Sequence, residues 1–320
     1  MRATQVILGT GAIGRAIMHE LRTRGEAVRM VSRSGKMAEA PADVEIVAAD
    51  LYDANQVRAV CAGAQVVYHT AQPDYHQWPE LFPVLQTAIL TGLTGSSAKL
   101  VLAENCYMYG DTHGAPLSED VPHQAQTRKG QVRSAISQQA FASHRAGQVR
   151  VTSARGSDYF GPWGLTSAAM GERTFIPLIQ GKKANLLGNI DVPHTHTYTL
   201  DFGRAMVILG TDERADGLAW HVPNDMPTIS QREMLTHAAQ ILNVPVRYSV
   251  MGRMLMQMAG LFIPAAKETV EMMYEFEQPF IVNSHRFEAT FGMRATPMHD
   301  ALATTIAWYQ QHLGIHRMTV

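Results

Sequence analysis

Apolar positions along the chain fall into two rhythms. Short runs at Gln5-Val6-Ile7-Leu8, Ala27–Ser32, Val44–Ala49, Ala64–His69, Lys99–Ala103 and Val149–Ser153 are bounded by turn residues and read as buried strands. Between them apolar residues recur at helical spacing. Ile13, Ala16, Ile17 and Leu21 lead up to Gly25, and a short helix runs from Ala54 to Gly63. Longer helices cover Pro79–Leu93 and the stretch from Lys129 to Gly147, the latter with Ile136, Ala140 and Phe141 inward. Strands that alternate with helices in this way predict an α/β protein built on a doubly wound parallel sheet.

The pattern changes after Pro162. Gly161–Gly171 is rich in Gly, Ser and Ala and reads as a crossing into a smaller domain, and Gly181–Gly188, with Lys182 and Lys183, reads as a polar turn. His194–Leu200 is strand-like and leads through Asp201-Phe202-Gly203 into a helix to Gly210, and Leu218–Val222 is a further strand. Ser230-x-x-Glu233 is a capping box ahead of a helix over Met234–Leu242. The Met-rich segment Met251–Met258, with Met272 and Met273, reads as apolar core, with a plastic pocket wall or lid as the alternative. His299–His312 is the last helix. The expected division is residues 1–165 and about 191–223 for the sheet domain, and about 166–190 and 224–320 for the smaller one.

The first strand runs into Gly9-x-Gly11-x-x-Gly14 and then a helix, the context that a dinucleotide fingerprint requires. Gly9 allows the tight turn, Gly11 lets backbone approach a pyrophosphate, and Gly14 lets helix and strand pack closely. The N–H groups around Ala12 and Ile13 then face the phosphates at the positive end of the helix dipole. An acidic residue after the second strand would select NAD; here Ser32-Arg33-Ser34 stands there, and a guanidinium suits a 2′-phosphate, so NADP(H) is expected over NAD(H). Asp50-Leu51 and Thr70-Ala71 follow strands whose carboxyl ends would meet the adenine and the rest of the cofactor. The loop from Gln72 carries Tyr75 and Trp78, which read as substrate contacts or as an ordinary surface loop. His194-x-His196 places two imidazoles on one strand face, but no third ligand is identifiable, so no metal is expected.

Composition narrows the setting. The chain has 320 residues, 46% hydrophobic and 17% charged, enough for a large core in one big or two interleaved domains. A net charge of −1 without a basic block makes nucleic acid and anionic membranes poor partners. Only Cys61 and Cys106 are present, which fits a reducing compartment. The N-terminus enters a strand by Gln5, leaving no room for a signal peptide, and the longest apolar run, near residues 250–266, is broken by Arg253, Gln257 and Pro264. A cytoplasmic protein with a small-molecule substrate, monomeric or homodimeric, is expected.

Five marks together resemble the extended short-chain dehydrogenases/reductases of the NAD-dependent epimerase/dehydratase kind: the glycine turn, Asp50-Leu51, Met108-Tyr109-Gly110, Arg155 through Gly161-Pro162, and Tyr198-Thr199-Leu200-Asp201. The resemblance implies a Rossmann-type sheet with a smaller C-terminal substrate domain, and often dimers. It also marks departures. Where such enzymes use Ser or Thr, five residues before the glycine, this chain has Asn105, and their Tyr-x-x-x-Lys falls on Lys129-x-x-x-Arg133. The resemblance makes the chain an atypical member without that pair, with Arg133 on the cofactor ribose and Lys129 as proton carrier. Tyr107, Tyr109 and Asp158 are further candidates for the pocket, as are His194 and His196 for substrate contact. The leading reading is an NADP(H)-dependent oxidoreductase or epimerase/dehydratase-like enzyme acting on a carbonyl or hydroxyl. The alternatives are a non-enzymatic redox sensor and a lyase with Lys129 or Asp158 as base.

Overall fold

In the computed structural model, which describes residues 4–262 and 264–315, every strand from Thr4 to Arg155 lies in one sheet. Residues 1–3, 263 and 316–320, which the expected domains include, lie outside the described residues. In chain order β1 (Thr4–Leu8), α1 (Ala12–Thr23), β2 (Val28–Ser32), β3 (Glu45–Ala48), α2 (Ala54–Val60), β4 (Ala64–His69) and α3 (Trp78–Leu93) come first. They are followed by β5 (Lys99–Glu104), α4 (Arg128–Arg145), β6 (Arg150–Arg155), β7 (Tyr159–Phe160), α5 (Glu172–Ile179), β8 (Ala184–Leu187), β9 (Thr197–Tyr198) and α6 (Thr199–Thr211). The chain ends with β10 (Ala219–His221), α7 (Gln231–Leu242), β11 (Tyr248–Met251), α8 (Arg253–Gly260), α9 (Pro264–Val270), α10 (His285–Phe291) and α11 (Met298–His312).

The main sheet has the order β10-β6-β5-β4-β1-β2-β3, parallel throughout. This is the expected doubly wound sheet. Its strands are apolar on both faces because helices cover both. Successive side chains point to opposite faces, so Val6 and Leu8 join Trp78, Phe82 and Leu85 of α3, while Ile7 joins Ile17 of α1 and Met206 of α6. The strand order reverses between β1 and β4, and ligands of such sheets gather at the carboxyl ends beside that reversal.

A third apolar cluster packs α5, α7 and α11 around Phe175, Leu235 and Tyr309. Two carboxylates tie it back. Asp201 of α6 accepts from the backbone N and Oγ1 of Thr296 at 2.7 and 2.9 Å, and Asp225 accepts from the N–H of Met298 at 2.7 Å, capping α11. The Ser230–Glu233 capping box starts α7 as its sequence indicates.

Three local readings differ. The stretch expected as a polar turn at 181–188 contains β8, paired in parallel with β11. Buried Ala184 and Leu186 alternate there with exposed Asn185, a period of two that is hidden next to Lys182 and Lys183. Of the strand expected over His194–Leu200 only β9 pairs as a strand, with β7. The backbone N–H groups of His194 and Thr195 turn instead to Ile229 and Phe280, and helix starts at Thr199. The Met251–Met258 segment is not uniformly core: Met256 is buried, whereas Met254 and Met258 are 79% and 62% exposed. α8 packs chiefly on α9, so one face alone is covered. Met272 and Met273 are buried as expected. Among the described residues no helix is long and apolar enough to cross a membrane.

α6 lies against α1 through Gly203, where an added Cβ would stand 2.5 Å from the backbone carbon of Ala16. Gly203→Leu is expected to lower stability by about 1–3 kcal/mol through overpacking. An unchanged denaturation midpoint would show that the helices can separate without cost.

Candidate active site

Above the carboxyl ends of the central strands lies one cavity of about 480 Å³. Its first wall is the glycine turn. Gly9 has φ +118°, and a Cβ there would sit 2.7 Å from Thr70 Oγ1; a Cβ on Gly14 would sit 2.5 Å from the carbonyl oxygen of Gly9. These two glycines are demanded by protein–protein contact. Gly11 is different, because a Cβ there would meet nothing within 4 Å. The space before it belongs to the cavity, and no side chain caps the first turn of α1. Free N–H groups at a helix start facing open space are what a pyrophosphate needs, so the residues present fit a dinucleotide.

Every residue expected to contact the dinucleotide lines this one cavity: Gly9, Gly11, Ala12, Ile13 and Gly14, Arg33, Asp50, Leu51, Thr70, Ala71 and Arg133. Arg33 is exposed at the rim after β2. Asp50 Oδ1 accepts from the N–H of Tyr52 at 3.0 Å, which brings the Tyr52 ring into the lining. Arg133 of α4 is buried, with its guanidinium carbon 4.3 Å from the centre of the Trp78 ring and 4.6 Å from that of Phe82. Its Nη2 donates to Gln72 Oε1 at 3.1 Å. Burial pulls its pKa down to about 10, so it stays charged at neutral pH. Trp78 lines the cavity as the shelf beneath this cation, its Nε1 donating to the carbonyl of Pro73 at 3.2 Å.

The candidates for chemistry separate. Asn105, Tyr107, Tyr75 and Asp158 line the cavity; Lys129, Tyr109, His194 and His196 do not. Tyr107 and Tyr75 pair through their hydroxyls, and burial pushes both well above the ordinary phenol range. Asn105 Oδ1 accepts from the N–H of Tyr107 at 3.3 Å, which leaves its amide hydrogens for the cavity. Lys129 is fully buried beside the cavity. Its ammonium pairs with Glu268 of α9 and lies 3.7 Å from Glu271 and 4.6 Å above the centre of the Tyr75 ring. Arg128 joins the clamp, donating from Nη2 to Glu268 at 3.0 Å and from its backbone to Glu271 at 2.8 Å.

Tyr109 belongs to a buried network below the site. Its hydroxyl accepts from Arg155 Nη1 at 2.8 Å and donates to His221 Nε2 at 2.7 Å, while His221 Nδ1 donates to the carbonyl of Asn283 at 2.8 Å. Arg155 Nε also donates to Glu104 Oε2 at 3.0 Å. Burial lowers the pKa of His221 to about 4, so the ring is neutral and can accept from Tyr109. His194 stands behind Asp158, its Nε2 2.9 Å from Asp158 Oδ2 and its Nδ1 donating to the backbone carbonyl of Glu275 at 3.0 Å. His196 turns its Nδ1 to the carbonyl of His194, and burial lowers its pKa well below the usual imidazole value.

Sequence reasoning did not single out Glu104, Glu275 or Phe280, all of which line the cavity. Glu275 left a signal. It is the lone acid within Met272-Met273-Tyr274-Glu275-Phe276, and a carboxylate inside an apolar run has to be accounted for. Among the described residues no group of three or more His, Cys, Asp or Glu is placed to hold a metal ion.

The chain is similar over nearly its whole length to solved epimerases and dehydratases. A UDP-glucuronic acid 4-epimerase from Bacillus cereus in complex with NAD superposes with TM-score 0.78 at 14% identity, covering 98% of this chain and 99% of that one. A dTDP-glucose 4,6-dehydratase from Bacillus anthracis, also in complex with NAD, gives 0.79 at 14%, covering 97% of each chain. An epimerase from Methanothermobacter thermautotrophicus gives 0.81 at 14%, covering 98% and 94%. At these identities the likeness concerns the fold. Comparison with curated protein sequences gives no match. The profile of the NAD dependent epimerase/dehydratase family matches residues 6–220, two thirds of the chain and all the strands that carry the cavity. The chain belongs to the NAD dependent epimerase/dehydratase family, a family of enzymes.

Proposed function

We propose that this protein is an NADP(H)-dependent oxidoreductase or epimerase/dehydratase-like enzyme acting on a carbonyl or hydroxyl group of a small metabolite. The observation that carries this reading is the continuity of the cavity, from the glycine turn past Arg133 to Asn105, Tyr107 and Asp158. A polar end beyond the cofactor half has a use in catalysis and none in a sensor that only reports occupancy. A cytoplasmic setting is part of the same reading, consistent with two free, buried cysteines.

The bound dinucleotide supplies a hydride donor or acceptor. Gly11 and the start of α1 would hold its pyrophosphate, Arg133 the ribose of the nicotinamide half, and Arg33 the 2′-phosphate. For the proton we assign Tyr107. In the reductive direction its hydroxyl gives a proton to the substrate oxygen, the hydroxyl of Tyr75 passes one to it, and half-buried Tyr75 takes its replacement from water. Burial keeps both phenols protonated at neutral pH, so Tyr107 releases its proton only as the substrate oxygen gains alkoxide character with the arriving hydride. Asn105 donates an amide hydrogen to the same substrate oxygen, the task that a serine has in related enzymes. Lys129-x-x-x-Arg133 stands where such enzymes carry Tyr-x-x-x-Lys. In this reading Lys129 is a positioning residue, its ammonium engaged by Glu268 and Glu271.

Arg33→Ala is expected to weaken NADPH about 10- to 150-fold, the worth of a charge-assisted hydrogen bond, and to leave NADH nearly unchanged. Equal wild-type affinities for the two cofactors by calorimetry would remove the 2′-phosphate contact. Gly11→Val is expected to abolish binding of both cofactors with an unaltered thermal melt, because the branched side chain points into open cavity. Retained binding would put the phosphates elsewhere. Tyr107→Phe is expected to cut turnover about 100- to 10,000-fold at unchanged NADPH affinity. Full activity in Tyr107→Phe together with its loss in Lys129→Met would return the proton to the lysine.

A further inference from the structure

Charge is distributed unevenly along the cavity. Arg33 and Asp50 line the adenine end, and Arg133 and Glu104 the middle. Glu104 is matched by Arg155 at 3.0 Å. Beyond Arg133 the charged residues of the lining are two carboxylates, Asp158 and Glu275.

These two are not equivalent. Nδ1 of His194 faces a backbone carbonyl, which can only accept, so Nδ1 carries hydrogen. Nε2 faces an oxygen of Asp158 at 2.9 Å, so one proton lies between ring and carboxylate. Wherever that proton sits, Asp158 and His194 together are neutral. Glu275 has no such partner. Its side chain is 1% exposed, Oε2 has no hydrogen-bond partner, and Oε1 has a long contact of 3.5 Å from the Tyr274 hydroxyl. No lysine or arginine pairs with it among the described residues. Lys129 is committed to Glu268 and Glu271.

A buried carboxylate without a counter-charge is costly, so in the free protein it holds its proton: burial first, and then the nearby Asp158, raise the pKa of Glu275. A ligand that brings a cation removes that cost. The remaining wall suits one, since Tyr107 and Phe280 line the same cavity and aromatic faces attract cations when water is excluded. A metal ion is the wrong cation here, because no third ligating side chain joins the pair among the described residues. A nucleotide diphosphate finds no counter-charge, because beyond Arg133 the lining carries no guanidinium or ammonium to meet it.

We propose that Glu275, walled by Tyr107 and Phe280, forms a subsite for an ammonium group, so that the substrate is an amine-bearing carbonyl compound or alcohol and not an anionic sugar nucleotide. The proposal rests on the reading that the other end of the cavity holds NADP(H).

The test uses the full chain saturated with NADP+ and calorimetric titration with two matched sets of probes: benzylamine, benzyl alcohol and benzoate, and 4-amino-1-butanol, 1,4-butanediol and 4-hydroxybutyrate. The amine of one set or both is expected to bind about 10- to 150-fold more tightly than its neutral and anionic counterparts. Glu275→Gln, which keeps size and polarity, is expected to erase that preference while NADP+ affinity stays within about twofold. Should that variant fail to fold, the ranking in the wild type still decides. The proposal is overturned if neither amine binds, if a neutral or anionic probe binds as tightly in both sets, or if Glu275→Gln keeps the preference. Titration of NADP+ itself separates the two readings: no cofactor binding sinks the proposed function, whereas cofactor binding without amine preference sinks the subsite alone.

Discussion

The contact on which the rest of the structure depends is the approach of α1 to the ends of β1 and β4. Gly14 lies so close to the carbonyl of Gly9, and Gly9 to Thr70, that a Cβ at either place would overlap its neighbour. That closeness sets the tilt at which α1 leaves the sheet and brings its uncapped N–H groups over the strand ends. Gly203 repeats the device beside it, so that α6 can lie directly against α1 on the same face of the sheet. With both helices seated, one face of the sheet is closed by Ile17, Met206 and Phe202, and the loops after the strands turn towards a single cavity.

Below that cavity the polar core is self-sufficient. Arg155 is held by Glu104, Tyr109 and Ser137, and Tyr109 passes its hydrogen to His221. Buried polar groups impose a geometry only when their hydrogen-bonding capacity is met, and this network meets nearly all of its own. Its members hold the end of β5 against β6 and have little left for a substrate. Oε1 of Glu104, Nε of Arg133 and Oε2 of Glu275 lack partners, and all three residues line the cavity. Unmet polar atoms on the wall of an open cavity mark a place where a ligand can supply what the fold does not.

Lys129 shows how position in sequence and position in space part company. Its place at the start of α4, one turn before Arg133, puts both on one side of a helix. Arg133 turns into the cavity and Lys129 turns to the end of α9, since Glu268 within that helix and Glu271 just after it offer two carboxylates. A buried ammonium has to find its counter-charge, and the nearer carboxylates take it. The start of α4 thereby fastens a segment from the far end of the chain beside the site. Tyr109 parts company in the same way, sitting one short turn from Tyr107 yet facing the network below.

The sequence by itself determined the sheet and the half of the cavity that would hold a dinucleotide. Those features are local: a strand, a tight glycine turn and a helix follow one another within 20 residues from Thr4 to Thr23, and their chemistry is written in spacing. Arg33, Asp50 and Thr70 could be placed for the same reason, because each ends a strand of a sheet whose order follows from its connections. Only the tertiary structure decided what stands at the other end. Asp158, His194 and Glu275 come from segments 36 and 81 residues apart, and no periodicity relates them. Whether a side chain such as Lys129 is a reagent or a fastening depends on charges that fold in from elsewhere. Short strands such as β8 escaped for a related reason, since a pairing of four residues is fixed by its distant partner β11 more than by its own pattern.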